Sequence, residues 1–299
     1  MSDPVVSVII PAYNTAPTLP RALDSVFSQT QTAARCEIII VDDGSVDDIV
    51  RALEPYRDRV QLFRQTNAGA SSARNNGARH ATGKYLAFLD ADDFWHPRKL
   101  ELQLAAFRAR PEISLCWVKA ARWSEAGPHA LADPPAELSQ PEYVSDFREI
   151  FMAPYFGTPG VMMPRDVFTR LGGFREDLDS AEDIDLWLRA TYGNVAARIP
   201  ASLFFMVTSP TSLTALQKDK AFKNNLRVID DFCRANPEFA RREPAAVRHA
   251  RAKVYENWGS AELLRGNPAL ARTLLTRSMC NRANLRVLML LSKALIARQ

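Results

Sequence analysis

The chain has 299 residues, 47% of them hydrophobic, enough for one large packed domain or a domain with an appendage. No apolar run approaches the roughly 20 residues needed to cross a bilayer, and Met1-Ser2-Asp3-Pro4 lacks the basic segment that opens a signal peptide. The net charge of +4 hides an asymmetry: residues 215–299 hold 17 Lys+Arg against 7 Asp+Glu, whereas residues 1–214 hold 21 against 27, so a basic tail that suits an anionic surface follows an acidic body.

Residues 5–11 (VVSVIIP) form an apolar, β-branched run too short for a buried helix, which predicts a strand covered on both faces. A helix is expected over 19–29, where Leu23, Val26 and Phe27 recur at helical spacing. A second strand over 37–41 (EIIIV) runs into Asp42-Asp43-Gly44-Ser45, followed by a short helix over 47–56 and a strand over 60–63. Asn67-Ala68-Gly69 leads into a helix over 71–81, and a fourth strand over 85–89 runs straight into Asp90-Ala91-Asp92-Asp93. A helix over 98–108 and a strand over 113–118 follow. Residues 123–142, rich in Pro and Ala, read as an excursion, and residues 157–174 as an irregular floor turning at Gly172-Gly173. A helix over 184–192 and a late strand over 203–207 precede a helical pattern from Ala215 onward. There Gly266-Asn267-Pro268 marks one helix end and the next helix start, a single tetratricopeptide-type hairpin rather than an array.

Alternating strands and helices with short connections predict an α/β fold with a mostly parallel, doubly wound, Rossmann-like sheet over residues 1–214 and a basic helical region over 215–299. In such sheets ligands bind beyond the carboxyl ends of the strands. Three early strands end in polar turn residues: Tyr13-Asn14, the 42–45 segment and the 90–93 segment. The topology therefore gathers them at one sheet edge.

Asp90, Asp92 and Asp93 crowd three carboxylates into four residues, which is costly unless a cation or a proton relieves it. Oxygen ligands suit Mg²⁺ or Mn²⁺, with a diphosphate completing the shell. The competing reading is a helix start capped by Asp92 or Asp93. Asp43 can accept hydrogen bonds from a ribose or a base, or cap a helix. Arg74 is the one cation within 67–77 and can face a base or diphosphate. That segment lacks the Gly-Lys-Ser/Thr of a P-loop. Glu182 and Asp183 begin a helix, where one carboxylate can serve as a general base or both can simply pair with the positive helix end.

Taken in order, Val8-Ile9-Ile10-Pro11-Ala12-Tyr13-Asn14, Val41-Asp42-Asp43-Gly44-Ser45, Asn67-Ala68-Gly69 through Arg74-Asn75, Phe88-Leu89-Asp90-Ala91-Asp92-Asp93, Gly172-Gly173-Phe174 and Glu182-Asp183 resemble the inverting family-two glycosyltransferases with the GT-A fold. The resemblance covers about residues 5–190. It implies that Pro11, Ala12, Tyr13, Asn14, Asp42, Asp43, Arg74, Asp90 and Ala91 bind the donor nucleotide. Asp92, helped by Asp90, would hold Mn²⁺ or Mg²⁺ on the diphosphate. Asp183 would be the catalytic base, and Trp95, Glu182 and the 157–161 loop would shape the acceptor pocket. Processive members add a Gln-x-x-Arg-Trp motif and membrane helices; here the region reads Asp185-Leu186-Trp187-Leu188-Arg189, so transfer of one or a few sugars is expected.

The resemblance further implies a nucleotide-sugar donor, UDP-linked first, and a glycan or lipid-linked acceptor in cell-surface glycan or lipopolysaccharide synthesis. Nucleic acid is not an expected partner. The basic tail, through Arg282, Arg286, Lys293 and Arg298, is expected to rest on the inner membrane surface or to form a homodimer contact. Cys36, Cys116, Cys233 and Cys280 lack metal-ligand spacing and read as reduced thiols in the cytoplasm. Competing classes are a nucleotidyltransferase, which would need a basic Gly-rich loop after the first strand, a glycoside hydrolase, which has no use for Asp43 and Arg74, and a non-catalytic scaffold.

Overall fold

The computed structural model describes residues 5–30, 36–123, 131–154, 156–207 and 218–296. Part of the 123–142 excursion, the start of the 215–299 region and Arg298 lie outside the described residues. The chain divides into two compact units: Met1–Ser145 with Tyr155–Pro210, and Asp146–Pro154 with Thr211–Gln299.

Among the described residues the first unit is built on one nine-stranded sheet. Its strands are β1 (Val6–Ala12), β2 (Cys36–Asp42), β3 (Gln61–Arg64), β4 (Tyr85–Phe88), β5 (Phe94–Trp95), β6 (Cys116–Trp123), β7 (Glu142–Val144), β8 (Val161–Pro164) and β9 (Ala196–Val207). The spatial order is β3-β2-β1-β4-β8-β6-β9-β5, with β7 added against β9. The first half is parallel throughout, as the early β/α alternation requires. The second half is mixed: β8 runs antiparallel to both β4 and β6, while β6 and β9 are parallel. β8 corrects the expectation of an irregular floor over 157–174. Its four residues, Val-Met-Met-Pro, are all buried in mid-sheet, and a short helix (Arg165–Arg170) follows at once. In sequence this run follows Thr158-Pro159-Gly160 and ends on Pro164, which reads as loop rather than strand.

The helices of this unit are α1 (Leu19–Phe27), α2 (Ile49–Leu53), α3 (Ala70–His80) and α4 (Lys99–Ala109), with α6 (Arg165–Arg170) and α7 (Glu182–Thr191) after the second unit's α5 (Phe147–Met152). α3 lies close on the sheet because it is made of small residues. A Cβ at Gly77 would stand 2.6 Å from Ile9 Cγ2 on β1. The small-residue run is therefore needed for helix–sheet packing.

In the second unit α5 packs into an aromatic cluster. Phe147 and Phe151 tilt against Phe232 of α8 (Lys218–Ala235) and meet Phe239 of α9 (Pro237–Arg242) edge-on. α10 (Pro244–Leu264) and α11 (Pro268–Asn281) form the hairpin expected around Gly266, which takes φ 75° while Asn267 caps α11. A Cβ at Gly259 would meet Leu275 Cγ at 2.7 Å, so the two helices touch closely there. α12 (Leu285–Ile296) then packs Val287 and Ala294 against Ala271 and Leu275.

Candidate active site

The register of the parallel half brings the strand ends together: Ala12 lies opposite Asp42, and the Leu89 N–H donates to Ile9 O. The loops beyond them are stitched by side chains. Asn14, at φ 55°, receives Val46 N–H on its Oδ1 (2.9 Å), and its own N–H donates to Ser45 Oγ (2.9 Å). Asp42 is buried beneath this turn, accepting from Ser45 N–H and pairing with Arg64 at 3.3 Å. Asp43 is also buried. Its carboxylate accepts from Gln65 Nε2 and from the N–H groups of Ala68 and Gly69, at 2.8–2.9 Å. It thereby fixes the loop that opens α3. Tyr13, Asn14 and Asp92 face solvent, Pro11 is half-buried, and Ala12 and Ala91 are buried.

Arg74 projects from α3 and joins the two later acidic segments. Its Nη2 meets Asp90 Oδ1 at 2.7 Å and its Nη1 meets Glu182 Oε1 at 2.9 Å. Burial disfavours its charge, but Asp90 and Glu182 outweigh that penalty and hold its pKa above the ordinary value. Arg74 thus pairs with two carboxylates, which the reading of a cation facing a base or diphosphate did not foresee; its Nε is buried without a hydrogen-bond partner among the described residues. The remaining acids are strained toward protonation. Asp92 reaches solvent, yet the protein crowding its carboxyl, then the charge of Asp90, raises its pKa. The same causes, with Asp92 added, push Asp93 up to about 8, and Asp93 accepts from Val207 N–H at the end of β9. Burial, then Glu182, pushes Asp183 up to about 7, with Asp90 adding to the rise. Asp183 keeps partial solvent contact although protein closely surrounds its carboxyl.

α7 is held in place by contacts that the motif reading did not anticipate. Arg189 donates to the carbonyls of Leu171 and Gly173 and pairs with Asp185. Asn75 of α3 clasps Phe174 through both its N–H and its C=O. A Cβ on Gly173, at φ 74°, would stand 2.5 Å from Asn75 Oδ1, which explains the second glycine of the pair. Ala181, immediately before Glu182, sits at φ 61° in the left-handed region, a strained conformation for a residue with a Cβ. Nothing local in the sequence signals it. Trp95 is a further correction: it is almost wholly buried, and its indole N–H donates to Pro159 O at 2.8 Å. A side chain so enclosed supports the 157–161 loop and offers no surface to an acceptor.

Among the described residues no three His, Cys, Asp or Glu side chains form a ready metal cage. Two carboxylates do fit a hard divalent ion whose remaining positions go to phosphate oxygens and water. Asp92, made costly to ionise by the protein crowding its carboxyl and by Asp90, is the donor such an ion would relieve.

Comparison with known proteins agrees with this architecture. The family model described as Glycosyl transferase family 2 matches residues 7–171. An uncharacterized glycosyltransferase of Haemophilus influenzae is 32% identical over 186 residues, covering 62% of this chain and 61% of that protein. One from Rickettsia bellii is 32% identical over 205 residues, covering 68% of this chain and 29% of that protein. The chain thus spans less than two thirds of either relative's length. Among solved structures, S. aureus TarS 1-349 superposes with a TM-score of 0.67 at 18% identity, covering 98% of this chain and 87% of that one. The mannosyltransferase PcManGT of Pyrobaculum calidifontis, in complex with GDP-Man and Mn²⁺, gives 0.64 at 22% identity, covering 99% and 80%. The fold is therefore that of the GT-A glycosyltransferases, with helices following the sheet unit, and the chain belongs to glycosyl transferase family 2.

Proposed function

We propose that this chain transfers a sugar from a nucleoside diphosphate sugar, UDP-linked first, to an acceptor hydroxyl with inversion at the anomeric carbon. The carrying observation is that Arg74 ties Asp90, at the end of β4, to Glu182, beside Asp183 at the start of α7. Residues 108 positions apart in sequence thus share one electrostatic cluster. TarS has been crystallised with UDP-GlcNAc, and PcManGT with GDP-Man and Mn²⁺, which supports a nucleotide-sugar donor here.

In this reading the stitched ends of β1 and β2 form the nucleotide side of the site, with Tyr13 and Asn14 exposed to it and Asp43 setting the loop beneath. Asp92 and Asp90 would hold Mn²⁺ or Mg²⁺. A divalent ion bound there supplies Lewis-acid stabilisation of the departing diphosphate. Asp183 takes the proton of the acceptor hydroxyl; a carboxyl with pKa about 7 is matched to that task near neutral pH. Attack from the face opposite the leaving group inverts configuration in one displacement. Arg74 bridges Glu182 and Asp90, so that both carboxylates belong to the cluster that raises Asp183.

The sheet unit is the catalytic domain in this account and the helical unit an appendage. Cell-surface glycan or lipopolysaccharide synthesis is the setting that the resemblance favours. Cys116, Cys233 and Cys280 are in no disulfide among the described residues, which accords with a reducing cytoplasm. No helix among the described residues is long and apolar enough to cross a membrane. Asp183→Asn tests the reading: donor binding, followed by thermal shift, stays nearly intact while transfer is lost. A large loss of donor binding in that variant assigns Asp183 another role.

A further inference from the structure

α12 is apolar on two opposite sides. Its inner stripe, Val287, Leu290, Leu291 and Ala294, packs on α11 and the end of α10. Its outer stripe, Leu285, Leu288, Met289, Leu295 and Ile296, is more than half exposed at every position. Both stripes recur at helical spacing, so the outer one is a continuous face rather than scattered residues. Continuous exposed apolar faces of this kind mark interaction surfaces.

Charge indicates what covers it. Residues 263–299 contain seven Lys or Arg and no Asp or Glu. Arg286 and Lys293 lie along one flank of the outer stripe, and both are exposed. Arg286 is paired with Glu256 at 3.3 Å yet keeps 65% of its side chain in solvent. A second copy docked face to face would set this acid-free segment against itself, with like charges adjacent. A surface of anionic headgroups over hydrocarbon satisfies both halves of the pattern: the leucines enter the interface and the cations meet the headgroups.

We infer that the outer face of α12 docks on an anionic lipid surface, the helix lying in the interface plane. This stands independently of the transferase reading, because it uses none of the residues of the sheet unit.

The test is sedimentation of the whole chain with vesicles of equal parts phosphatidylglycerol and phosphatidylcholine, against vesicles of phosphatidylcholine alone. Binding is expected to the first, about tenfold or more over the second, and to be lost in high salt. The pair Leu288→Glu and Leu295→Glu should remove it, and Lys293→Glu should weaken it by about tenfold. Circular dichroism and the thermal midpoint confirm that the variants remain folded. Three results overturn the inference. One is no binding to anionic vesicles. Another is binding unchanged by the leucine substitutions. The last is a dimer that those substitutions dissolve in a chain that does not bind lipid, which assigns the face to a second copy.

Discussion

Arg74 shows how much of the site is set by one side chain. It is buried, and its two pairs are to carboxylates that are themselves largely enclosed. Removing it leaves Asp90 and Glu182 uncompensated. Arg74→Ala should cost about 3 kcal/mol, the lower end of the range for a broken buried pair because Asp90 keeps solvent contact. Chemical denaturation reads this directly, and Arg74→Lys should recover only part of it, since a point charge cannot span two carboxylates as the guanidinium does. Asp183 makes the companion prediction. In the proposed role it works as the carboxylate, so transfer should fall as pH drops through about 7, and Asp183→Asn should lower kcat by about 10²–10⁴-fold. The stability sign is opposite. In protein free of donor and divalent ion the folded state holds the Asp183 proton up to about pH 7, while the unfolded chain releases it near 3.8. The folded form therefore binds more protons across that window, and this group's contribution to stability declines as pH rises through it.

At the scale of elements, the sequence announces whatever has a period or a turn signature. β1 and β2 are legible as β-branched runs and β3 and β4 as short apolar runs alternating with helical spacing, while β1, β2 and β4 each run into polar turn residues and Asn67-Ala68-Gly69 marks the start of α3. β8 is not, because its short apolar run follows Thr158-Pro159-Gly160 and ends on Pro164, which reads as loop, and Ala181 is not, because alanine carries no signature of a left-handed backbone. The acidic motifs were visible as motifs, yet their partners were not. That Asp43 spends its oxygens on Gln65, Ala68 and Gly69, or that Trp95 is enclosed under Pro159, follows from three-dimensional packing alone.

Lys99, near the start of α4, is another case. Lysines are rarely buried, but this one is fully enclosed, with Nζ 2.8 Å from Gln103 Oε1 and 3.9 Å from the Trp95 ring centroid. Burial lowers its pKa from 10.5 to about 7. Between those values the unfolded chain binds the extra proton, so this lysine makes stability increase with pH over that window. Lys99→Met should flatten the increase, measured as the thermal midpoint from pH 7 to pH 10; an unchanged slope would place the amine in a wetter environment than the structure gives it.

Across the whole molecule, charge is segregated along the chain. Residues 1–214 are acidic in balance and residues 215–299 strongly basic, and the structure assigns most of each to a different compact unit. The segment Asp146–Pro154 crosses that division, since it lies early in the chain yet belongs with the later helices through Phe147 and Phe151. Its aromatic spacing carries no hint of so distant a partner.

The central proposition is that the pyrophosphate of an activated sugar is gripped where the strand-end acids converge. Thermal shift against a panel of nucleotide sugars, with Mn²⁺ or Mg²⁺ and again with chelator, tests it most directly, because a ligand that binds only the folded state raises its midpoint. The account predicts a rise of several degrees with at least one nucleotide sugar, present with the ion, absent with chelator and absent in Asp92→Ala. A midpoint indifferent to every nucleotide sugar, or a rise that survives both chelator and Asp92→Ala, would contradict it.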